Sequence, residues 1–164
     1  MTVKPSLGQL VRSPSMLLAF GFGSGLSPKA PGTMGTLIAI PFYFGLRELD
    51  NLLYGVFVVV SFLIGIYFCA VTSRALKVHD HGGIVWDEMV GYWLTMMFAP
   101  REWWWIVIGF LLFRFFDVLK PWPISVADKK IHGGFGIMFD DLLAALYAMV
   151  CLQIGAWFAV SYIY

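Results

Sequence analysis

The residues best placed to do chemistry fall in two stretches of similar design. The first reads His79-Asp80-His81-Gly82-Gly83-Ile84-Val85-Trp86-Asp87-Glu88 and runs into an apolar segment ending at Ala99. The second reads His132-Gly133-Gly134-Phe135-Gly136-Ile137-Met138-Phe139-Asp140-Asp141 and is followed by uncharged residues to Tyr164. Each joins histidine and glycines to two adjacent carboxylates at the start of an apolar helix. Carboxylates at the mouth of a membrane helix are costly unless positive charge compensates them. Hard carboxylate oxygens suit Mg²⁺, which keeps some of its waters and takes substrate phosphate oxygens as further ligands. The soft ligands of a zinc site are lacking. The two pairs, with Asp117, are therefore expected to hold a divalent metal at the membrane face and to hydrolyse a lipid phosphate by metal-activated water.

Each of these residues also has a structural reading. Asp and Glu are favoured in the first turn of any helix, where they accept orphan amide protons and oppose the dipole. Two pairs, each beside a His-Gly-Gly, favour a site over that reading. Arg114 and Asp117 stand one helical turn apart and share a face. Arg114 either neutralises Asp117 or, with Lys120 and Lys29, binds phosphate, and the two roles are compatible. His79, His81 and His132 offer metal ligands, proton carriers or loop structure. The glycines at 21, 23 and 25 let the backbone approach a phosphate or another helix. Trp86, Trp122 and the methionines read as packing or interface residues. No serine sits in a nucleophile elbow and neither cysteine has the spacing of a phosphate-cradling thiolate, so water is the expected nucleophile.

The elements that must position these groups belong to a membrane protein. The 164 residues are 60% hydrophobic and 13% charged, against about 25% charged in soluble domains. One domain over residues 1–164 is expected, all-α, a polytopic membrane bundle of about five helices. The net charge of +1 argues against nucleic acid. Cys69 and Cys151 lie in apolar runs and imply no disulfide framework. Residues 1–14 read as a loose arm without a signal peptide's apolar core, so targeting is expected from the membrane helices. Residues 16–26 are too short to span and fit a re-entrant or interfacial segment. Spans are expected at residues 34–46, extended back to 30, and at 52–71, 84–99, 103–117 and 142–164. With the N-terminus in the cytoplasm, Lys4, Arg12, Lys29, Arg74, Lys77, Lys120, Lys129 and Lys130 lie inside, and only Arg47 and Arg101 outside, as the positive-inside rule asks. The same topology gathers every histidine and most acids on the inner face.

Four runs carry a family resemblance: GFGSGLSPKAPGTMGTL (21–37), HDHGGIVWDEMVG (79–91), FRFFDVLKPWPI (113–124) and HGGFGIMFDDLLAA (132–145). In order and spacing they resemble the bacterial phosphatidylglycerophosphatase A family. The resemblance implies a Mg²⁺-dependent phosphatase of the inner membrane, multi-pass with its active site facing the cytoplasm, which converts phosphatidylglycerophosphate to phosphatidylglycerol and inorganic phosphate. Its acidic motifs fall on Asp87, Glu88, Asp117, Asp140 and Asp141, and its basic and histidine positions on Lys29, Arg114, Lys120, His79 and His132. The metal set is expected to be Asp87, Glu88, Asp140 and Asp141. A small cation transporter or channel using the same carboxylates is the alternative, and a structural lipid-packing protein a third.

Overall fold

Long apolar runs broken by short polar turns make a chain of helices, and a computed structural model describes residues 5–78 and 81–163 of it. Among these residues there is no strand. Helix α1 (Leu7–Arg12) opens with a capping box between Ser6 and Gln9, which gives order to part of the expected loose arm. Helix α2 (Pro14–Ala19) leads into a 3₁₀ segment (Gly21–Leu26). Then come α3 (Pro31–Leu46), α4 (Asn51–Leu76), α5 (Trp86–Thr95), α6 (Trp103–Leu119), α7 (Ile124–Lys130) and α8 (Gly133–Ile163). Asp50 caps α4 by accepting from the Leu52 and Leu53 amides at 2.9 and 3.0 Å.

Helix α8 is the axis of the bundle and packs against α4, α5, α6 and α7. Ala144, Ala148, Leu152 and Ala156 recur every fourth residue and form its buried ridge. Small side chains there let neighbouring backbones approach closely. Its other face leaves Val150, Ile154, Trp157 and Phe158 exposed. Helix α5 is buried almost all round, with Met89, Val90, Tyr92 and Trp93 in the core. Several polar groups drawn inside find carbonyl partners. Trp93 Nε1 donates to Ala39 O at 2.9 Å, Trp86 Nε1 to Ser61 O at 3.0 Å, and the Tyr54 hydroxyl to Trp93 O at 2.7 Å.

The charged turns separate to two ends. At one end Arg101 reaches the Arg47 carbonyl at 3.4 Å, and both arginines pair with Glu48, so the turns after α3 and α5 meet. At the other end lie the start of α5, the end of α6 and α7. Two helices, α4 and α8, are long and apolar enough to cross a membrane. Helices α3 and α6 have 16 and 17 residues and α5 has ten, about 24, 26 and 15 Å at 1.5 Å per residue. Among the described residues, length and composition alone thus single out α4 and α8 as membrane-crossing helices. The outer surfaces of α4 and α6 are apolar nonetheless, through Leu52, Val59, Leu63, Leu111 and Val118.

The second organising stretch differs from expectation. Residues 133–141 read as a glycine-rich approach to a helix, yet α8 begins at Gly133 and carries Asp140 and Asp141 two turns inside. A side chain at Gly134 would run into the Ile66 carbonyl and Ala70 of α4. The close α4–α8 crossing outweighs glycine's poor helix propensity of about 1 kcal/mol. Enlarging the α8 ridge tests this packing. Ala148→Leu should lower unfolding stability in detergent by about 1–3 kcal/mol, while Val150→Leu on the exposed face should leave the thermal midpoint near that of the parent.

Candidate active site

The acids at the head of α5 are aimed by the turn before it. The Ile84 amide donates to His81 O at 2.7 Å, the Gly83 amide to His81 Nδ1 at 3.0 Å, and the Val85 amide to Ala19 O of α2 at 2.8 Å. A Cβ on Gly25 would strike the Gly83 carbonyl, so this glycine serves a contact between two backbone segments. Asp87 and Glu88 then fall in the first turn of α5, where the helix dipole favours negative charge.

Helix α6 brings the basic groups. Arg114 forms an ion pair with Asp117 on its own face and lies 3.9 Å from Glu88 of α5. The helix ends at Lys120, which adopts a left-handed backbone (φ 43°). Its Nζ sits 2.5 Å from Asp140 Oδ2 and 2.6 Å from Asp128 Oδ1. Burial pulls the Lys120 pKa down, but the hydrogen bonds and charges of Asp128 and Asp140 outweigh it and raise the pKa above its ordinary value. The ammonium therefore stays charged at neutral pH.

These groups surround a cavity of about 230 Å³, lined by Asp87, Glu88, Asp117, Lys120, Asp128, Asp140 and Asp141 together with Gly82, Ile84 and Ile137. One ligand atom from each of Asp87, Glu88 and Asp141 lies within 4.8 Å of the others. Asp87 Oδ1, Glu88 Oε2 and Asp141 Oδ2 are buried and accept no hydrogen bond among the described residues. Buried, unpartnered, hard oxygens converging from two helices are the donor set that a divalent cation such as Mg²⁺ takes.

The predicted residues thus divide. Asp87, Glu88 and Asp141 converge. Asp140, expected among the metal ligands, is turned to Lys120, and Asp117 to Arg114. His132 is exposed and does not line the cavity. Lys29 is exposed in the loop before α3, three residues ahead of Gly32, where a Cβ would meet Glu88 and Arg114. His79 lies outside the described residues. Trp86 is buried against α4, and Trp122 is exposed. Sequence reasoning passed over Asp128 as a partner of Lys120. Its signal was modest: Asp128 falls four residues after buried Ile124 and so shares that face of α7.

Comparison with known proteins places the chain in a family. The family profile described as phosphatidylglycerophosphatase A matches residues 17–156. The Escherichia coli (strain K12) protein of that name is 47% identical over 89% of this chain and 89% of its own length. The Haemophilus influenzae protein of that name is 46% identical over 92% of this chain and 90% of its own. A Bacteroides thetaiotaomicron protein bearing the provisional name phosphatidylinositol-3-phosphatase is 36% identical over 87% of this chain and 93% of its own. No solved structure matches. The profile spans the acidic cluster and both basic partners, and on that coverage and identity the chain belongs to the phosphatidylglycerophosphatase A family.

Proposed function

We propose that the chain removes the terminal phosphate of phosphatidylglycerophosphate, yielding phosphatidylglycerol and inorganic phosphate, with Mg²⁺ held by Asp87, Glu88 and Asp141. The observation that carries this reading is the trio of buried, unpartnered carboxylate oxygens in a cavity at one end of an apolar bundle. The relatives' names supply the substrate. A divalent cation there would polarise the phosphoryl group and lower the pKa of a water at the site.

The chain's own residues do the rest. Lys120 reaches the cavity with its ammonium fixed by Asp128 and Asp140, and so offsets charge developing on the phosphate oxygens. Arg114, held by Asp117 and near Glu88, keeps the acidic wall from carrying its full charge. Asp117 and Asp140 in this reading hold the two cations rather than the metal. Lys29 and His132, exposed at the same end, fit headgroup contact at the rim. Acyl chains remain in lipid while the headgroup enters the cavity. The basic residues flanking this end, Arg12, Lys29, Arg74, Lys77, Lys129 and Lys130, favour the cytoplasmic face. Five crossings, with α3, α5 and α6 spanning beside α4 and α8, keep all of these residues on that face. The family assignment and the uncharged middles of α4 and α8 do not favour a cation channel, which asks for charge at several depths.

Phosphate release from purified protein in mixed micelles is the test. Asp87→Asn and Asp141→Asn should each reduce turnover by more than the roughly 10–100-fold that supporting residues of a metal site cost, with the helical content and thermal midpoint kept. Asp50→Asn, a cap at the far end, should leave turnover unchanged. Full activity in both site variants would refute the ligand assignment. Chelation should abolish turnover and added Mg²⁺ restore it; activity indifferent to chelator would exclude the metal. Asp140→Asn should cost less than Asp141→Asn, and chiefly by loosening Lys120; equal losses with equal weakening of the Mg²⁺ requirement would return Asp140 to the ligand set.

A further inference from the structure

The first histidine stretch contains a side chain that the proposed chemistry does not use. His81 is 3% exposed and does not line the cavity, although its neighbours Gly82 and Ile84 do. Its Nδ1 accepts the Gly83 amide at 3.0 Å, and its carbonyl accepts the Ile84 amide at 2.7 Å. One residue therefore closes the turn twice, once with its ring and once with its backbone. A neutral imidazole accepting at Nδ1 carries its proton on Nε2. That Nε2 is buried and meets no partner among the described residues. The Phe20 ring stands 5.5 Å away, tilted by 45°.

The chain from this turn to the acids is short and pinned. Val85 is tied to Ala19 of α2, and α5 starts at the next residue. The turn fixes where α5 begins, and hence where Asp87 and Glu88 stand relative to Asp141 on a different helix. Asp87 Oδ1, Glu88 Oε2 and Asp141 Oδ2 meet no hydrogen-bond partner of their own among the described residues, and the contacts of the same carboxyl groups are mainly to one another and to Asp117. Carboxyls that lean on one another are placed by the backbone that carries them.

We propose that His81 is a positioning residue for the carboxylate cluster: its Nδ1 closes the Gly82–Gly83 turn that launches α5, and its Nε2 neither binds metal nor carries a proton in the reaction. This rests on the phosphatase reading for its rate measurements, but not for its backbone measurement. Amide side chains separate the two nitrogens. In His81→Asn the Oδ1 stands as many bonds from the backbone as Nδ1 and can accept the Gly83 amide. In His81→Gln the terminal amide stands at the reach of Nε2 instead.

The experiment compares His81→Asn, His81→Gln and His81→Ala in the full chain, in detergent. Three readouts are taken: amide hydrogen exchange over residues 81–89, the rise in melting temperature on adding Mg²⁺, and phosphate release against pH. His81→Ala and His81→Gln should speed exchange in this segment, shrink the Mg²⁺-induced rise and lower kcat by about 100-fold, the scale of a misplacement of about 1 Å. KM for lipid should hold. His81→Asn should match the parent in exchange and in the shape of its pH profile, with kcat within about threefold, or roughly 0.7 kcal/mol. Rescue by Gln but not Asn, or a pH limb lost in His81→Asn, would assign the role to Nε2 and overturn the proposal. So would parent-like behaviour of all three variants, or a His81→Asn chain that fails to fold although it keeps the acceptor. A parent chain that releases no phosphate would sink the proposed activity, and exchange alone would then judge His81.

Discussion

Six carboxylates, those of Asp87, Glu88, Asp117, Asp128, Asp140 and Asp141, crowd one small cavity against two cations, Arg114 and Lys120. Fully ionised, they would leave an excess of four negative charges. The three acids without hydrogen bonds to their free oxygens lie within 4.8 Å of one another. At that separation two unit charges repel by about 3–4 kcal/mol at an effective dielectric of about 20. Three such pairs amount to about 10 kcal/mol, within the 5–15 kcal/mol that holds a typical domain together. Arg114 and Lys120 relieve this only in part, because Asp117, Asp128 and Asp140 already engage them and only Arg114 also comes within 3.9 Å of one of the three, Glu88. The cluster needs relief from protons or from further positive charge, and a hard divalent cation would suit the oxygens on offer.

The rest of the bundle can be understood as the scaffold that tolerates this concentration of charge. Asp87 and Glu88 gain from the amides at the start of α5, whereas Asp140 and Asp141 lie two turns into α8 and gain nothing from its terminus. Their position is set by the ridge below them. Asp140 continues the series Ala144, Ala148, Leu152 and Ala156 by one step of four, so the packing that buries the alanines also turns Asp140 inward. Asp141 begins a parallel row with Ala145. A helix whose buried stripe is mostly alanine comes near enough to α5 and α6 for acids on separate helices to share one cavity.

How much of this was legible follows from what each signal encodes. Uncharged runs announced α4 and α8, and the three-residue spacing of Arg114 and Asp117 announced their pairing, because both depend only on helical repeat. The division of labour within Asp140-Asp141 was not legible. Adjacent helical residues point about 100° apart, and which one faces Lys120 depends on the rotation of α8 against α6. The likeness of the two His-Gly-Gly runs misled for a related reason. In the first the glycines make a turn against Gly25, and in the second they begin a helix against Ile66 and Ala70. Composition is the same in both; the partner backbone decides the conformation. Helix α5 reads as apolar from the sequence, and in the fold its ten residues are enclosed almost all round by other helices.

The segment over residues 16–26, expected to be re-entrant or interfacial, is bound into the same logic. Ala19 accepts the amide just ahead of α5, Gly25 meets the Gly83 carbonyl, and Phe20 covers the His81 ring. None of these contacts touches a reacting group. Each constrains the backbone that carries Asp87 and Glu88. A pair of acids at a helix start, left to itself, would shift outward to reach water and reduce its mutual repulsion. Contacts that act on the backbone retain the pair beside Asp141 and leave the free carboxylate oxygens open to the proposed cation. This accounts for glycines where the segments cross: a Cβ on Gly25 would run into the Gly83 carbonyl oxygen, and the backbone shift it would force would pass directly into the geometry of the site.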